Sequence, residues 1–331
     1  MSEFDWIAQY LSPLTNNQPG SFDLKNDAAV LMHDPGHDLV VTSDTLIESR
    51  HFLSCQSPQD LARKALRVNL SDLAAMGATP LCYTLNLALT KGCDKTWLEN
   101  FVAGLKSDQE GFSVYLLGGD TTKGGDKLVI SMTLFGSVHK ESAWRRDGSE
   151  PGDYCFVTGR IGEAMAGLKL RTREWTGESQ DLRDQCFNKY NLPNPRVEAT
   201  ALHQGCGVTA AIDVSDGLLA DLGHICRHSN VAIDLQVKDL PIDKNLVELA
   251  TSNGSGVQDL CSGGDDYELI LSVKSEYLEC FYNISRSLPF PFTNIGRFHK
   301  KNAKQNSNVR LFDDNGKEIT PELGGWDHFL A

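Results

Sequence analysis

Thr209-Ala210-Ala211-Ile212-Asp213-Val214-Ser215-Asp216-Gly217-Leu218 is the stretch on which the fold turns. An apolar run of strand length, 209–212, breaks into a small acidic turn. A helical pattern from Leu218 to His228 follows. The same sense recurs elsewhere. Val114-Tyr115-Leu116-Leu117 reads as a buried strand running into Gly118-Gly119-Asp120-Thr121-Thr122. Ser262-Gly263-Gly264-Asp265-Asp266 precedes a strand from Tyr267 to Val273. Tyr154–Val157 reads as a strand before a helix through Leu168, and Val231–Leu235 as another strand. Strands alternating with helices define an α/β chain, and ligands of open α/β sheets bind at strand ends.

Three further acidic segments lie upstream: Asn26-Asp27, Thr42-Ser43-Asp44-Thr45 and Asn69-Leu70-Ser71-Asp72. All are read as turns at the edges of apolar runs. A single Asp beside Gly or Ser is ordinarily a turn or cap residue. The whole set exceeds what capping requires. Hard oxygen ligands beside pliable backbone suit Mg²⁺, especially Mg²⁺ that also holds substrate phosphates. A polyphosphate would be repelled by these carboxylates without cations between them.

The strongest helix runs from Ser57 to Met76. Ser57 caps it, Pro58 suits its first turn, Asp60 sits at capping-box distance and Gly77 ends it. Leu61, Ala65, Val68, Asp72 and Met76 fall on one stripe. Asp72 thus stands among apolar residues and needs a partner, a metal or a proton. A second helix from Asp94 to about Gly111 buries Trp97, Leu98, Phe101, Val102 and Leu105. Leu128–Val138 alternates as a strand, and Val40-Val41 reads as a shorter one. The start reads as a short helix with Phe4, Ile7 and Leu11 on one side. Asn194-Pro195 opens a helix, and Asp313-Asp314-Asn315-Gly316 makes a hairpin turn. Lys169–Asn191 is polar and reads as a mobile insertion.

At 331 residues two domains are expected. The polar cluster Asp147–Asp153 sets their boundary, giving 1–147 and 148–331. Net charge is −13, which disfavours nucleic acid or an anionic membrane as partner. The nine cysteines show no Cys-x-x-Cys spacing and read as reduced thiols of a cytoplasmic protein. Acids near the start disfavour a signal peptide. There is no P-loop, no Gly-x-Ser-x-Gly elbow, no His-Glu-x-x-His and no Gly-x-Gly-x-x-Gly after a strand. Arg145-Arg146 serves equally as a phosphate clamp or as an exposed linker pair.

The ordered motifs, from Thr42-Ser43-Asp44-Thr45-Leu46 and His51-Phe52 through Lys64–Ala78, Leu117–Thr122, Ile212–Leu218 and Ser262–Leu269 to Gly325-Trp326-Asp327-His328-Phe329, resemble the thiamine-monophosphate kinase family. Its superfamily includes aminoimidazole ribonucleotide synthetase and selenophosphate synthetase. The resemblance runs nearly end to end. It implies a two-domain α/β (α+β) fold of the aminoimidazole ribonucleotide synthetase type. The N-terminal domain would bind ATP and Mg²⁺ and pair by its sheet in a homodimer, with an α/β domain following. It implies ATP-dependent phosphorylation of thiamine monophosphate to thiamine diphosphate, by direct in-line transfer assisted by several Mg²⁺ ions.

By motif match, Asp27, Thr42, Ser43, Asp44, Asp72, Asp120, Asp213 and Asp216 would hold metal. Gly119, Asp120, Arg146 and Ser215 would contact ATP. His51, Asp265 and Trp326 would line the thiamine side. Asp44, Asp72 and Asp120 would be central to catalysis. Trp326 could stack on the thiazolium or pyrimidine or anchor the C-terminus by packing. Two positions depart from the family. Lys25-Asn26-Asp27 replaces the usual Gly-Asp-Asp, and Asp265 stands where Glu is frequent. The alternatives are a sister enzyme using ATP on another acceptor and a non-catalytic nucleotide-binding and metal-binding descendant. Selenophosphate synthetase is disfavoured, since the first cysteine is Cys55.

Overall fold

A computed structural model describes residues 3–26, 28–302, 307–320 and 325, with 3 and 4 by backbone only. Two compact units emerge: residues 1–73 with 78–143, and residues 74–77 with 144–331. The first begins with α1 (Glu3–Trp6), a wide turn over Ile7–Leu11 and a 3₁₀ turn over Ser12–Thr15. The buried apolar side chains of this opening segment are Trp6, Tyr10, Leu11 and Leu14. Ile7 is only partly covered, because the wide turn rotates the expected stripe.

The main body of this unit is β1 (His37–Ile47), α2 (Pro58–Ala75), β2 (Thr79–Leu89), α3 (Lys95–Phe112), β3 (Tyr115–Lys123) and β4 (Val129–His139). The strands form one sheet, ordered β1-β4-β2-β3. Only the β2–β3 pair is parallel. Helix α2 starts where its caps predict, with Ser57 Oγ accepting the Asp60 N–H at 3.0 Å. Gly77 closes it at φ +66, a left-handed conformation that favours glycine. Leu61, Ala65, Val68 and Leu73 of α2 are buried, as are Phe101 and Leu105 of α3. Leu73 packs so close to Gly136 of β4 that an added Cβ would meet it at 3.0 Å. Asp108 of α3, buried, accepts Arg63 and Arg67 of α2.

Of the acidic segments read as turns, two lie inside strands, and the third lies inside the helix that its own spacing predicts. Thr42–Thr45 belongs to β1, Asn69–Asp72 to α2 and Gly118–Thr122 to β3. In the strands, ladder bonds to neighbours satisfy the backbone and override the local turn preference of Ser, Asp and Gly. β2 was not anticipated. Pro80 and a register shift between Pro80 and Cys82 disguise its alternation.

The second unit contains β5 (Tyr154–Thr158), α4 (Glu163–Arg171), α5 (Gln180–Asn191), β6 (Val208–Asp213), α6 (Leu218–Ser229), β7 (Val231–Gln236), α7 (Lys244–Ser252), α8 (Val257–Ser262), β8 (Leu269–Val273), α9 (Leu278–Ser285), β9 (Phe292–Arg297), β10 (His299–Lys300), β11 (Val309–Phe312) and β12 (Glu318–Ile319). One sheet is ordered β6-β8-β5-β9 and is antiparallel throughout; a second is ordered β10-β7-β11-β12. One core cluster joins Val157 and Ile270 of the first sheet, Leu222 of α6 and Leu235 of β7.

The segment read as a mobile insertion is instead largely α5. Ser179 caps it by accepting the Leu182 N–H at 3.3 Å. Leu182 and Cys186 join Leu170 of α4 and Leu246 of α7 in a separate cluster. Polar composition concealed a narrow apolar stripe that only the neighbouring helices explain. Asn194-Pro195 leads not to an α-helix but to a 3₁₀ segment, Val197–His203. The expected hairpin turn joins β11 to β12, with Gly316 N–H donating to Asp313 O at 2.9 Å. All nine cysteines are free. Among the described residues no helix is long and apolar enough to cross a membrane.

Candidate active site

Along β1 the side chains alternate between faces. Val40 and Leu46 are buried, Thr42 and Asp44 half-buried, and Leu39, Val41, Ser43 and Thr45 exposed. Thr42 and Asp44 therefore share the face turned toward the core, where Asp72 arrives on the inward stripe of α2. Thr42 Oγ1 donates to Asp72 Oδ2 at 2.5 Å. Asn69, one turn before Asp72, donates to Ala65 O at 3.0 Å and accepts the Asp44 N–H at 3.1 Å. Burial, and then the charge of Asp72, pushes the Asp44 carboxyl up to about 7. Ser43 points to the other face and donates to Met132 O at 3.1 Å. His51 Nδ1 accepts the Ile47 N–H at 2.9 Å, so that nitrogen carries no proton.

Gly119 and Asp120 are located by the ladder. Asp44 faces Met132, Met132 faces Leu85, and Leu85 faces Gly119. Asp120 lies one row further on, opposite Asn86, in register with Ser131 and Thr45. Three strand spacings of about 4.8 Å place Asp120 roughly 14 Å from Asp44 across the sheet. Both Asp120 and Thr45 are exposed. Within one chain, Asp120 and Asp44 cannot ligate one Mg²⁺, whose ligands stand at about 2.1 Å. Gly119 has φ +155, and a Cβ there would lie 1.9 Å from Leu85 O. That position belongs to glycine because β2 passes so closely.

Thr42, Asp44 and Asp72 offer only hard oxygens, and two carboxylates crowd one partly desolvated spot. The raised Asp44 carboxyl is the mark of a place that wants a cation or a proton. These residues fit Mg²⁺. Among the described residues no three His, Cys, Asp or Glu side chains converge as a cation cage. Mg²⁺ commonly takes one or two carboxylates and completes its shell with water and substrate phosphate.

In the second unit the two remaining acidic turns are zipped together. The β6–β8 ladder continues past its strands: Val214 N–H donates to Glu268 O at 2.8 Å, Tyr267 N–H to Val214 O at 2.8 Å and Asp265 N–H to Ser215 O at 2.9 Å. A Cβ on Gly264 would lie 2.3 Å from Ser215 O. Ser215 and Asp265, expected on the nucleotide and thiamine sides, are thus direct neighbours. Asp213 is buried at the end of β6, and Asp216 is half-buried. Asp221, in the first turn of α6, accepts the N–H groups of Asp216 at 3.0 Å and Gly217 at 3.1 Å. Burial and the Asp216 charge raise the Asp221 carboxyl to about 7. Arg146 is exposed, while Arg145 forks onto Asp147 at 2.9 and 2.6 Å.

Asp27 and Trp326 lie outside the described residues. The structure brings Thr42, Asp44 and Asp72 together, and separately Ser215 with Asp265. It also reveals residues to which the sequence alone assigns no role: Asn69, Asp221, Glu268, Lys189 and Arg196. Asn69 and Asp221 lie within or just beyond the motifs and carried a signal. Lys189 and Arg196 carried none, since their partner is far along the chain.

This architecture, a four-stranded sheet with oxygen-bearing side chains on its inner face in one unit and paired acidic loops in the other, is that of the aminoimidazole ribonucleotide synthetase class. Residues 25–138 match the family model of AIR synthase related protein, N-terminal domain. Thiamine-monophosphate kinase of Caulobacter vibrioides is 36% identical over 333 residues, spanning 99% of this chain and 91% of that protein. Thiamine-monophosphate kinase from Stenotrophomonas maltophilia K279a superposes with a TM-score of 0.77 at 36% identity, covering 89% of this chain and 91% of that one. AaThiL complexed with AMPPCP and TMP gives 0.76 at 29% identity, covering 92% and 91%. The chain belongs to the thiamine-monophosphate kinase family.

Proposed function

We propose that this chain transfers the γ-phosphoryl group of ATP to the phosphate of thiamine monophosphate, yielding thiamine diphosphate and ADP. The observation that carries the reading is its likeness, over nearly its whole length, to a structure holding AMPPCP and TMP together. AMPPCP stands in for ATP, with a methylene at the β–γ bridge that cannot be cleaved.

The acceptor is a phosphate monoester whose second pKa is about 6, so near neutral pH it is already a dianion. No general base is required. An acceptor oxygen forms a bond to the γ-phosphorus while the bond from that phosphorus to the β–γ bridging oxygen breaks, and ADP leaves with the electron pair. No enzyme nucleophile enters. The obstacle is the repulsion of two anions, and catalysis is chiefly positioning with charge neutralisation.

Thr42, Asp44 and Asp72 would hold Mg²⁺, which supplies charge neutralisation at the phosphates. Asn69 keeps Asp44 in place through its backbone. Gly119 and Asp120, three strands away, serve a separate part of the nucleotide and not the ion at Asp44. Arg146 offers a bidentate fork to phosphate, Ser215 a contact to the nucleotide, and Asp213 and Asp216 further oxygen ligands. His51, Asp265 and Trp326 orient the thiamine moiety, Asp265 through a side chain one methylene shorter than Glu. Leu39 and Val41, 38% and 54% exposed on the outward face of β1, support pairing of the first unit with a second copy through its sheet.

The test is ADP release from ATP and Mg²⁺ with thiamine monophosphate, alongside other phosphorylated acceptors, with thiamine diphosphate identified chromatographically. Release that depends on thiamine monophosphate supports the reading. Release with another acceptor only, or binding without turnover, overturns it.

A further inference from the structure

The loop that carries Asp265 has an uncommon backbone. Asp265 adopts φ +70 and Tyr267 φ +49, both left-handed and neither glycine. Such conformations persist only where the surroundings over-determine them. Here the surroundings are explicit. Residues 265–268 alternate: Asp265 and Tyr267 are half-buried, whereas Asp266 and Glu268 are fully buried at 0%. On the outer side Tyr267 donates its hydroxyl to Asp265 Oδ1 at 3.3 Å. On the inner side two carboxylates act as anchors.

Asp266 accepts the Gly162 N–H at 2.7 Å and the Ala164 N–H at 3.2 Å, which ties the loop to the start of α4. Glu268 accepts the Arg196 fork at 2.6 Å on each oxygen, the Thr158 hydroxyl at 2.6 Å and the Lys189 ammonium. Thr158 Oγ1 in turn accepts the Leu269 N–H at 2.8 Å. Arg196 is held over the Phe290 ring at 4.8 Å. Buried Glu268 is thus matched by two nearly buried cations, with side-chain exposures of 10% for Lys189 and 9% for Arg196, whereas Asp266 is held by backbone N–H groups. Stability alone is a poor reason for such an arrangement, because apolar residues of equal volume often serve as well. Geometry is the better reason, since the anchors sit one residue on either side of the left-handed turn at Tyr267.

Resting on the functional reading above, we propose that Asp266, Glu268 and Lys189 are positioning residues. They fix the left-handed loop 265–267 so that Asp265 presents its carboxylate to the thiamine moiety. Lys189 comes from α5, so that helix is part of the acceptor site's support. The nucleotide-side turn has its own brace in Asp221, which holds the N–H groups of Asp216 and Gly217. Loss of Lys189 therefore weighs on the acceptor more than on ATP.

The experiment uses the full chain with Lys189→Met, Lys189→Arg, Asp265→Ala and the double variant Lys189→Met/Asp265→Ala. KM and kcat are measured for thiamine monophosphate and ATP, together with Tm. Lys189→Met leaves the Arg196–Glu268 pair intact. It is expected to raise KM for thiamine monophosphate about tenfold, with a smaller effect on kcat and on KM for ATP. Lys189→Arg restores most of the loss. In the Asp265→Ala background, Lys189→Met adds nothing further, because both act through one carboxylate. An unchanged KM with only Tm lowered, or an effect that adds in full to Asp265→Ala, overturns the proposal. Should Lys189→Met not fold, Thr158→Val removes one hydroxyl from Glu268 and carries the same prediction at about threefold. A wild-type chain that releases no ADP with thiamine monophosphate overturns the functional reading itself; wild-type turnover without the KM shift overturns this inference alone.

Discussion

Replacing Asp44 by Asn should stabilise the metal-free protein while removing its activity. Asp44 rises from an ordinary carboxylate value of 3.8 to about 7 because it is desolvated and faces Asp72. A carboxyl raised in the folded state stabilises the fold fully below its unfolded value, and that contribution is lost as pH rises through about 7. Three pH units at about 1.4 kcal/mol each set a ceiling of about 4 kcal/mol. The site is only half-buried, so solvent screening brings this to about 2 kcal/mol. Asn is nearly isosteric and carries no charge. In EDTA at pH 8.5, Asp44→Asn should unfold about 5 °C above wild type. At pH 5 the wild-type carboxyl is largely protonated when folded, and the gap should shrink to less than half. Scanning calorimetry at the two pH values reads the difference. Added Mg²⁺ at pH 8.5 should raise the Tm of wild type and leave the variant nearly unmoved, while turnover of the variant falls at least about a hundredfold. A variant less stable than wild type at pH 8.5, or one whose offset does not depend on pH, would refute the account of Asp44 as a crowded, cation-seeking carboxylate.

Gly119→Ala forces a Cβ against Leu85 O and an unfavourable φ; it should cost about 2–3 kcal/mol in denaturant unfolding, and a near-neutral result would contradict the close β2–β3 approach. Lys25→Gly with Asn26→Asp restores the usual family acids and should lower the free Mg²⁺ giving half-maximal rate; an unchanged requirement counts against a metal role for this segment. Val41→Asp puts a charge on the exposed outer face of β1, and light scattering should report a shift from dimer to monomer; a wild type already monomeric, or a variant still dimeric, removes the pairing through this sheet.

Much of the first unit could be read locally. The caps of α2 at Ser57 and Gly77 and the N-cap of α3, where Asp94 accepts the Trp97 N–H at 2.8 Å, are set by residues within one turn of each other, so short-range rules suffice. The position of Asp72 on an apolar stripe also follows from helical spacing alone, and it correctly marked a carboxylate in need of a partner. Strand β2 escaped notice because its alternation is broken by Pro80 and a bulge. Ser, Gly and Asp favour turns in isolation, so the acidic segments at Asp44 and Asp120 read locally as turns, a preference that ladder hydrogen bonds overrule. Helix α5 was missed because its apolar side is narrow and makes sense only against α4 and α7.

Residue identities thus pointed to the chemistry: many hard oxygens, and motifs in the order of a known kinase family. Which of those oxygens face one another was not legible, because that depends on strand register and helix placement, relations among residues far apart in the chain. The fold sets Asp44 against Asp72 and sends Asp120 to another row. It buries Glu268 between Arg196 and Lys189, cations 72 and 79 positions away. A desolvated charge must find its counterion in space, and only packing determines who stands there.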